Sequence, residues 1–137
     1  MGKRQTRSEA RTEAFKLIFQ MQVNNEDPQF LIDEMLNEHP ESEANINYIK
    51  TVVLGVLEKN DEIIEHIKAN LTKGWTVERI SKVSFAVLKL AIFEIKYLED
   101  VPHKVAINEA VELEKKFDDP DNSAFVNGVL GAFVRSL

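Results

Sequence analysis

The sequence predicts an all-α fold, a compact bundle of about seven helices, from three observations. Apolar residues recur at steps of three and four along nearly the whole chain, whereas no stretch alternates as a half-buried strand does. Glycine and proline are scarce, with five and four copies among 137 residues, and sandwiches or barrels need more turns. No repeat or low-complexity linker divides the chain, whose length is typical of one domain. We therefore expect a single helical domain over residues 1–137.

Start and stop signals place these helices in order along the chain. Starts are indicated by capping residues or by a first-turn proline, at Thr6, Asp27, Asn45, Asn60, Ser81, Pro102 and Ser123. Ends are indicated by turn-forming residues at Asn24, His39, Gly74, Asp100 and Asp118. Residues 75–80 are expected to form a single turn. The fifth helix carries apolar residues on more than one side, which is typical of a central helix buried by its neighbours.

Two glycines lie inside the predicted last helix, Gly128 and Gly131, where each costs about 1 kcal/mol against alanine. Close packing against a neighbouring helix is the favoured reason, and a partner lying flat on the helix is the other. Asn127 falls near the packed side of the helical wheel. We therefore expect its amide to be buried and to bind a neighbouring loop or helix.

A catalytic cluster is suggested by "HKVAINEAVELEKKF", residues 103–117, but its spacing favours a solvated helix face. At about 100° per residue the charged side chains fall opposite the apolar ones, and Glu112 and Lys116 are spaced to pair. His103 has no second histidine or thiol at metal-ligand spacing, and Glu62, Glu65 and His66 are explained by a solvated helix. There is also no glycine-rich phosphate loop and no nucleophile elbow. The sequence therefore predicts no catalytic residue, no metal and no cofactor.

Composition indicates a cytoplasmic protein. The chain has no cysteine, so a reducing compartment is the easier fit, and its charged N-terminus lacks the apolar stretch of a secretory signal. No apolar run approaches the ~18 residues of a membrane span. The formal net charge is −6, which disfavours a generic nucleic-acid binder.

The N-terminus departs from this acidic balance. Residues 1–23 carry five basic and two acidic side chains, so a local basic patch or an ordinary solvated helix start is expected there. Arg7, Arg11, Phe15 and Phe19 follow at four-residue steps along one flank of the first helix. Guanidinium groups bind phosphate and rings stack unpaired bases, so this flank is suited to a single strand of nucleic acid. The alternative is that both rings belong to the core, as we expect for Phe15.

The C-terminal third, "DVPHKVAINEAVELEKKF" followed by "FVNGVLGAF", closely resembles the NusB family of bacterial transcription antitermination factors. "RSEARTEAFKLIFQ" and "VLKLAIFEI" extend the likeness over most of the chain, while residues 25–75 match only in pattern. The resemblance implies two packed helical subdomains. It also implies pairing with the ribosomal protein NusE, binding of single-stranded boxA RNA from ribosomal leaders, and an indirect effect on RNA polymerase.

Site residues follow from the same resemblance. They are Lys3, Arg4, Arg7 and Arg11 at the start of the first helix, the aromatic Phe19 later in it, and Asp121 and Phe125 near the last helix. The sequence departs from the family where Gln5, Thr6 and Ser8 dilute the arginine run, and where Phe19 lacks a tyrosine's hydroxyl. Because a carboxylate repels phosphate, Asp121 is expected either to accept from a base amino group or to cap the last helix.

Two other functions remain open at this point. NusB-like domains are also fused to RNA cytosine methyltransferases, which would require that this chain be a piece of a longer protein. A helical protein-interaction module without an RNA role is the third possibility. The sequence leaves open both a monomer and a homodimer that masks the basic flank.

Overall fold

The computed structural model describes residues 4–137, and this range contains seven α-helices, three short 3₁₀ helices and no strand. The α-helices are α1 (Arg7–Asn24), α2 (Pro28–Glu38), α3 (Ile46–Glu58), α4 (Asn60–Ala69), α5 (Lys82–Tyr97), α6 (His103–Phe117) and α7 (Ser123–Arg135). The 3₁₀ helices are Pro40–Asn45, Val77–Arg79 and Pro120–Asn122. The all-α prediction is confirmed. None of the helices in residues 4–137 combines the length and the hydropathy that a membrane span requires.

Capping residues start three helices where the sequence predicts them. At α1 the Thr6 hydroxyl accepts the Glu9 N–H at 3.0 Å, and the Glu9 carboxylate accepts the Thr6 N–H at 2.8 Å, which completes the capping box. Asp27 accepts the N–H of Phe30 at α2, and Ser81 caps α5. Each cap satisfies backbone donors that have no partner inside the helix.

The end of α4 differs from the prediction. Gly74 was expected to terminate this helix, but α4 ends at Ala69, and Gly74 lies in the following turn at φ 92°. The Asn70 side chain donates to the carbonyl of His66 at 2.8 Å. It thereby satisfies a carbonyl that the helix would otherwise use, so the helix stops earlier.

The helices form two packed groups that share one hydrophobic core. Helices α1, α2 and α3 contact one another, and α4, α6 and α7 surround the other part of the molecule. Helix α5 contacts α1, α3, α4, α6 and α7, and eleven of its sixteen residues are buried. The prediction of a central helix is confirmed, and the arrangement gives the two helical subdomains that the resemblance implied.

The predicted close packing of a neighbouring helix on Gly128 and Gly131 of α7 is wrong, and a Cβ added at Gly131 would meet Arg135 of the same helix at 3.2 Å. Asn127 and Gly128 are exposed, and a Cβ added at Gly128 would meet no atom within 4 Å. The close approach occurs instead at Gly55 in α3, where a Cβ would overlap the ring of Phe93. A partner lying on the Gly128 face stays a prediction.

Helix α6 has the amphipathic arrangement that the wheel predicts, with two differences. Ala106, Ala110 and Leu113 are buried, but Glu112 pairs with Lys115 at 3.9 Å, where we expected Lys116. The complete burial of Glu114 is not predicted by its position on the wheel.

Candidate nucleic-acid interface

The start of α1 presents two exposed arginines, Arg4 and Arg7. The Nε of Arg7 donates to Asn45 at 3.4 Å, and its guanidinium lies 4.3 Å from the centre of the Tyr48 ring. This cation–π contact holds the charge at the surface in a restricted orientation. Lys3 lies outside the described residues.

The residues that dilute the arginine run have structural roles. Gln5 is buried, and its amide donates to the hydroxyl of Ser42 at 2.7 Å. Thr6 is the capping residue of α1. These two side chains fix the direction in which the chain enters α1, and therefore the place from which Arg4 and Arg7 project.

Arg11 does not share the exposed flank, so that part of the prediction is wrong. Its side chain is 4% exposed and forms a bidentate ion pair with Glu94 of α5, with Nε–Oε1 at 2.9 Å and Nη2–Oε2 at 3.0 Å. Glu109 of α6 lies 3.4 Å from its Nη1. Burial alone would lower the pKa of Arg11, but the hydrogen bonds and charge of Glu94 raise it above its ordinary value. Arg11 is thus held as a buried cation and offers no free surface to a phosphate.

Tyr48 completes this buried cluster. Its hydroxyl donates to Oε2 of Glu94 at 3.2 Å, and the Arg11 guanidinium lies 5.6 Å from the centre of its ring. Burial, followed by the charge of Glu94, raises the pKa of Tyr48. A lone carboxylate inside the apolar run of α5 was the available sequence signal, because a buried acid of this kind needs a cation partner.

The two phenylalanines of α1 differ in how deeply they are buried. Phe15 is 3% exposed, as predicted for a core residue, and its ring lies 5.1 Å from that of Phe117 on α6. Phe19 is half-buried and lies 6.3 Å from Phe15. Since Phe117 immediately precedes the acidic turn at 118–122, these ring contacts link the aromatic end of α1 to the segment that holds Asp121.

Asp121 is exposed on the 3₁₀ helix before α7. Its N–H donates to the carboxylate of Asp119 at 3.0 Å, and the capping position of α7 is Asn122, whose side chain makes no capping bond. The capping alternative for Asp121 is therefore wrong, because α7 has no side-chain capping bond, and Asp119 caps the preceding 3₁₀ helix through its own carboxylate. The Asp121 carboxylate is left at the surface.

A buried acidic junction holds this turn against α5. Ser84 donates to Glu114 at 2.5 Å, and Ser81 donates to Asp118 at 2.6 Å. Burial raises the pKa of Glu114 to about 7, although Ser84 opposes the change. Burial acts in the same direction on Asp118, but hydrogen bonds from Ser81, the Asp119 backbone and Glu114 lower its pKa to about 2. The two directions together favour a protonated Glu114 beside an ionised Asp118.

Phe125, in the first turns of α7, is half-buried against Trp75, which no motif or helical pattern of the sequence singles out. Its ring stacks on Trp75 at 4.6 Å between centres, with 33° between the planes. Arg79 lies 5.2 Å from the centre of the Trp75 ring. Trp75 lies in a connecting segment, so helical periodicity carries no signal for it.

An exposed basic helix start together with partly exposed aromatic rings is an arrangement suited to binding single-stranded nucleic acid. No cluster of histidine and carboxylate side chains in residues 4–137 is arranged to hold a metal ion. The sequence model of the NusB family matches residues 8–135, and the chain belongs to this family.

Individual relatives and solved structures agree with the family match. The chain is 40% identical to the transcription antitermination protein NusB of Acetivibrio thermocellus, with 98% of this chain and 90% of the relative covered. It is 36% identical to the NusB of Clostridium novyi (strain NT), with 95% and 98% covered. A crystal structure of the antitermination factors NusB and NusE in complex with dsRNA matches with a TM-score of 0.84 at 26% identity, over 96% of this chain and 97% of that one. The structure of T. maritima NusB matches with a TM-score of 0.83 at 28% identity, over 97% and 93%.

Proposed function

We propose that this chain is a transcription antitermination adaptor that binds single-stranded, boxA-like RNA together with a NusE-type ribosomal protein. It has no catalytic role of its own and acts on RNA polymerase indirectly, in the cytoplasm. The observation that carries the proposal is the exposed pair Arg4 and Arg7 at the start of α1, on a chain with a net charge of −6. Such a local cationic site favours a defined anionic contact over general coating.

Arg7 is prepared for a phosphate contact. Its guanidinium already rests on the Tyr48 ring, so less side-chain freedom is lost when it binds. The guanidinium can donate two parallel hydrogen bonds to a phosphate. Arg11 supports this contact from inside, because it holds Glu94, and Glu94 in turn holds the hydroxyl of Tyr48. Arg11 is therefore a positioning residue in this proposal.

The proposed RNA surface consists of Arg4, Arg7, Phe19, Asp121 and Phe125, and the last three make its base contacts. Phe19 and Phe125 present partly exposed rings that can stack unpaired bases. Asp121 presents a carboxylate that is not used as a helix cap, and it can accept a hydrogen bond from a base amino group. Phe19 contacts Phe15, and Phe15 contacts Phe117 of α6. The part of the surface on α1 is therefore packed against the helix that leads into the turn of Asp121.

The relatives that this chain matches almost end to end carry the antitermination name, which supports the adaptor over an accessory domain of a methyltransferase. The structural neighbour that contains NusE and RNA supports the same partners for this chain. Its RNA is double-stranded by its description, so a duplex is the natural competitor in any binding test.

The test is a titration of labelled single-stranded boxA-like RNA, followed by fluorescence anisotropy at several salt concentrations. Arg7→Ala should weaken binding about tenfold, which corresponds to the loss of one charge-assisted contact. It should also reduce the slope of log K against log salt by about 0.7, as expected for one phosphate on a single strand. Addition of the NusE protein should tighten binding.

Arg135→Ala is the matched control, because it removes an exposed arginine with the same charge change at the end of α7. It should change the affinity less than twofold. Equal losses for both variants would show that only net charge matters, and a preference for the duplex would contradict single-strand binding.

A further inference from the structure

The segment between α4 and α5 holds the only tryptophan of the chain, Trp75, with 38% of its surface exposed. The indole is fixed in place from two directions. Phe125 stacks on it at 4.6 Å, and Arg79 lies over it at 5.2 Å while donating to the carbonyl of Gly74 at 3.1 Å. An ordered, partly exposed indole is therefore joined directly to a ring of the proposed RNA surface.

Beside Trp75 lies an open groove of about 260 Å³, lined by Lys68, Leu71, Trp75, Thr76, Val77 and Glu78. Neither Phe125 nor Arg79 lines this groove. Part of the Trp75 side chain therefore borders the groove, in addition to the parts that contact Phe125 and Arg79. We refer to this space as the Trp75 groove.

We propose that the Trp75 groove binds an unpaired nucleobase of the same RNA strand, adjacent to the nucleotide at Phe125. This inference rests on the proposed function and adds a base-binding site to it. The base stacks against the indole, and its phosphates are contacted by the basic side chains of residues 68–79. A single strand suits the groove, because a base inside a duplex is already stacked on its neighbours.

Charge favours RNA over a protein segment as the occupant. Residues 68–79 carry three basic side chains, Lys68, Lys73 and Arg79, and one acidic side chain, Glu78, on a chain whose net charge is −6. Lys68 lies at the groove, and its only ion pair in the described residues is an exposed one with Glu65 at 3.6 Å. An aromatic wall with a cation at the same groove, here Lys68, suits the stacking of a single-stranded base and the contact of its phosphate, whereas an apolar helix would gain nothing from the cation.

Because Trp75 is the sole tryptophan, the intact protein reports on its own groove. Unlabelled single-stranded RNA should quench the Trp75 emission, with saturation at the concentration where anisotropy of labelled RNA shows binding. Bound RNA should also protect Trp75 from quenching by acrylamide. Trp75→Leu should weaken RNA binding about fivefold or more, the usual loss for one stacked base, whereas Trp75→Phe should keep most of the affinity.

Two further variants test whether the loss of affinity is specific to the indole and how much the cation at the groove contributes. Phe30→Leu removes another exposed aromatic side chain, on α2, and should leave the affinity unchanged. Lys68→Ala removes a cation without touching the indole, and should reduce the salt slope by about 0.7.

The outcomes distinguish the groove from the proposed function. If anisotropy shows RNA binding while Trp75 emission and acrylamide access stay constant, the groove proposal is overturned and RNA binding stands. If emission responds to NusE and not to RNA, the groove is a protein site and the proposal is again overturned. If anisotropy shows no RNA binding at all, the proposed function fails, and the groove proposal fails with it.

Discussion

Two buried carboxylates on neighbouring helices, Glu94 of α5 and Glu114 of α6, are held in opposite ways. Both are almost inaccessible, with 1% and 0% of their surfaces exposed. Glu94 accepts two hydrogen bonds from Arg11 and one from Tyr48. Glu114 accepts one from Ser84, and its second oxygen has no donor in the described residues.

The difference shows how a buried acid is accommodated when a cation is present and when it is absent. An ion pair with full hydrogen bonding keeps a buried carboxylate charged. Without a cation, burial and the neighbouring Asp118 favour the protonated form, and the pKa of Glu114 rises to about 7. The proposed RNA surface therefore has two supports. The ionic support is the buried pair of Arg11 and Glu94 beneath Arg7. The other is Glu114, beside the turn of Asp121, whose protonation depends on pH.

The largest expected effect comes from breaking the ionic support. Arg11→Ala should lower the free energy of unfolding by about 3–5 kcal/mol, because Glu94 would remain buried without its cation. Urea unfolding followed by circular dichroism measures this change. Arg7→Ala, one turn earlier on an exposed site, should change stability by only about 0.5 kcal/mol.

A double replacement sharpens the same comparison. Arg11→Leu combined with Glu94→Leu removes both charges and should recover much of the lost stability, since no unpaired ion is left inside. A loss below about 1 kcal/mol for Arg11→Ala alone would show that Glu94 does not depend on this arginine.

The second effect is a pH dependence at Glu114. Its pKa is about 7 in the folded protein against an ordinary 4.5, so the folded state retains a proton over this window. The free energy of unfolding should therefore fall as pH rises from about 4.5 to about 7, by roughly 2–3 kcal/mol in total. Glu114→Gln cannot ionise, so it should be the more stable protein at about pH 8 and nearly equal to the original at about pH 5.

The control is Glu112→Gln on the exposed face of the same helix, which should leave the pH profile unchanged. Asp118 does not contribute to the change in unfolding free energy over this pH range, because its pKa is lowered to about 2. Its contribution is present above the ordinary value and is lost only in strong acid. Parallel profiles for the Glu114 variant and the original protein would show that Glu114 is ionised in both states.

The features that the sequence predicts correctly are those with local causes. The caps of α1, α2 and α5 depend on residues three apart, and the burial of α5 follows from its own apolar pattern. The prediction that Arg11 is exposed is wrong, because a helical wheel shows which side of α1 a residue occupies but not how far α5 and α6 cover that side. Trp75 was missed because its partner, Phe125, is brought to it only by the folded arrangement of α4, α5 and α7.

The smallest expected effect tests how Tyr48 joins the ionic support to the surface. Tyr48→Phe removes the hydrogen bond to Glu94 but keeps the ring beneath Arg7, so stability should fall by about 1 kcal/mol. RNA affinity should stay the same, because the cation–π contact of Arg7 remains. Tyr48→Leu removes the ring as well and should weaken RNA binding, with a difference between the two variants of about 0.5–1 kcal/mol. If both variants bound RNA equally well, the ring would have no part in positioning Arg7, and the buried cluster would act on stability alone.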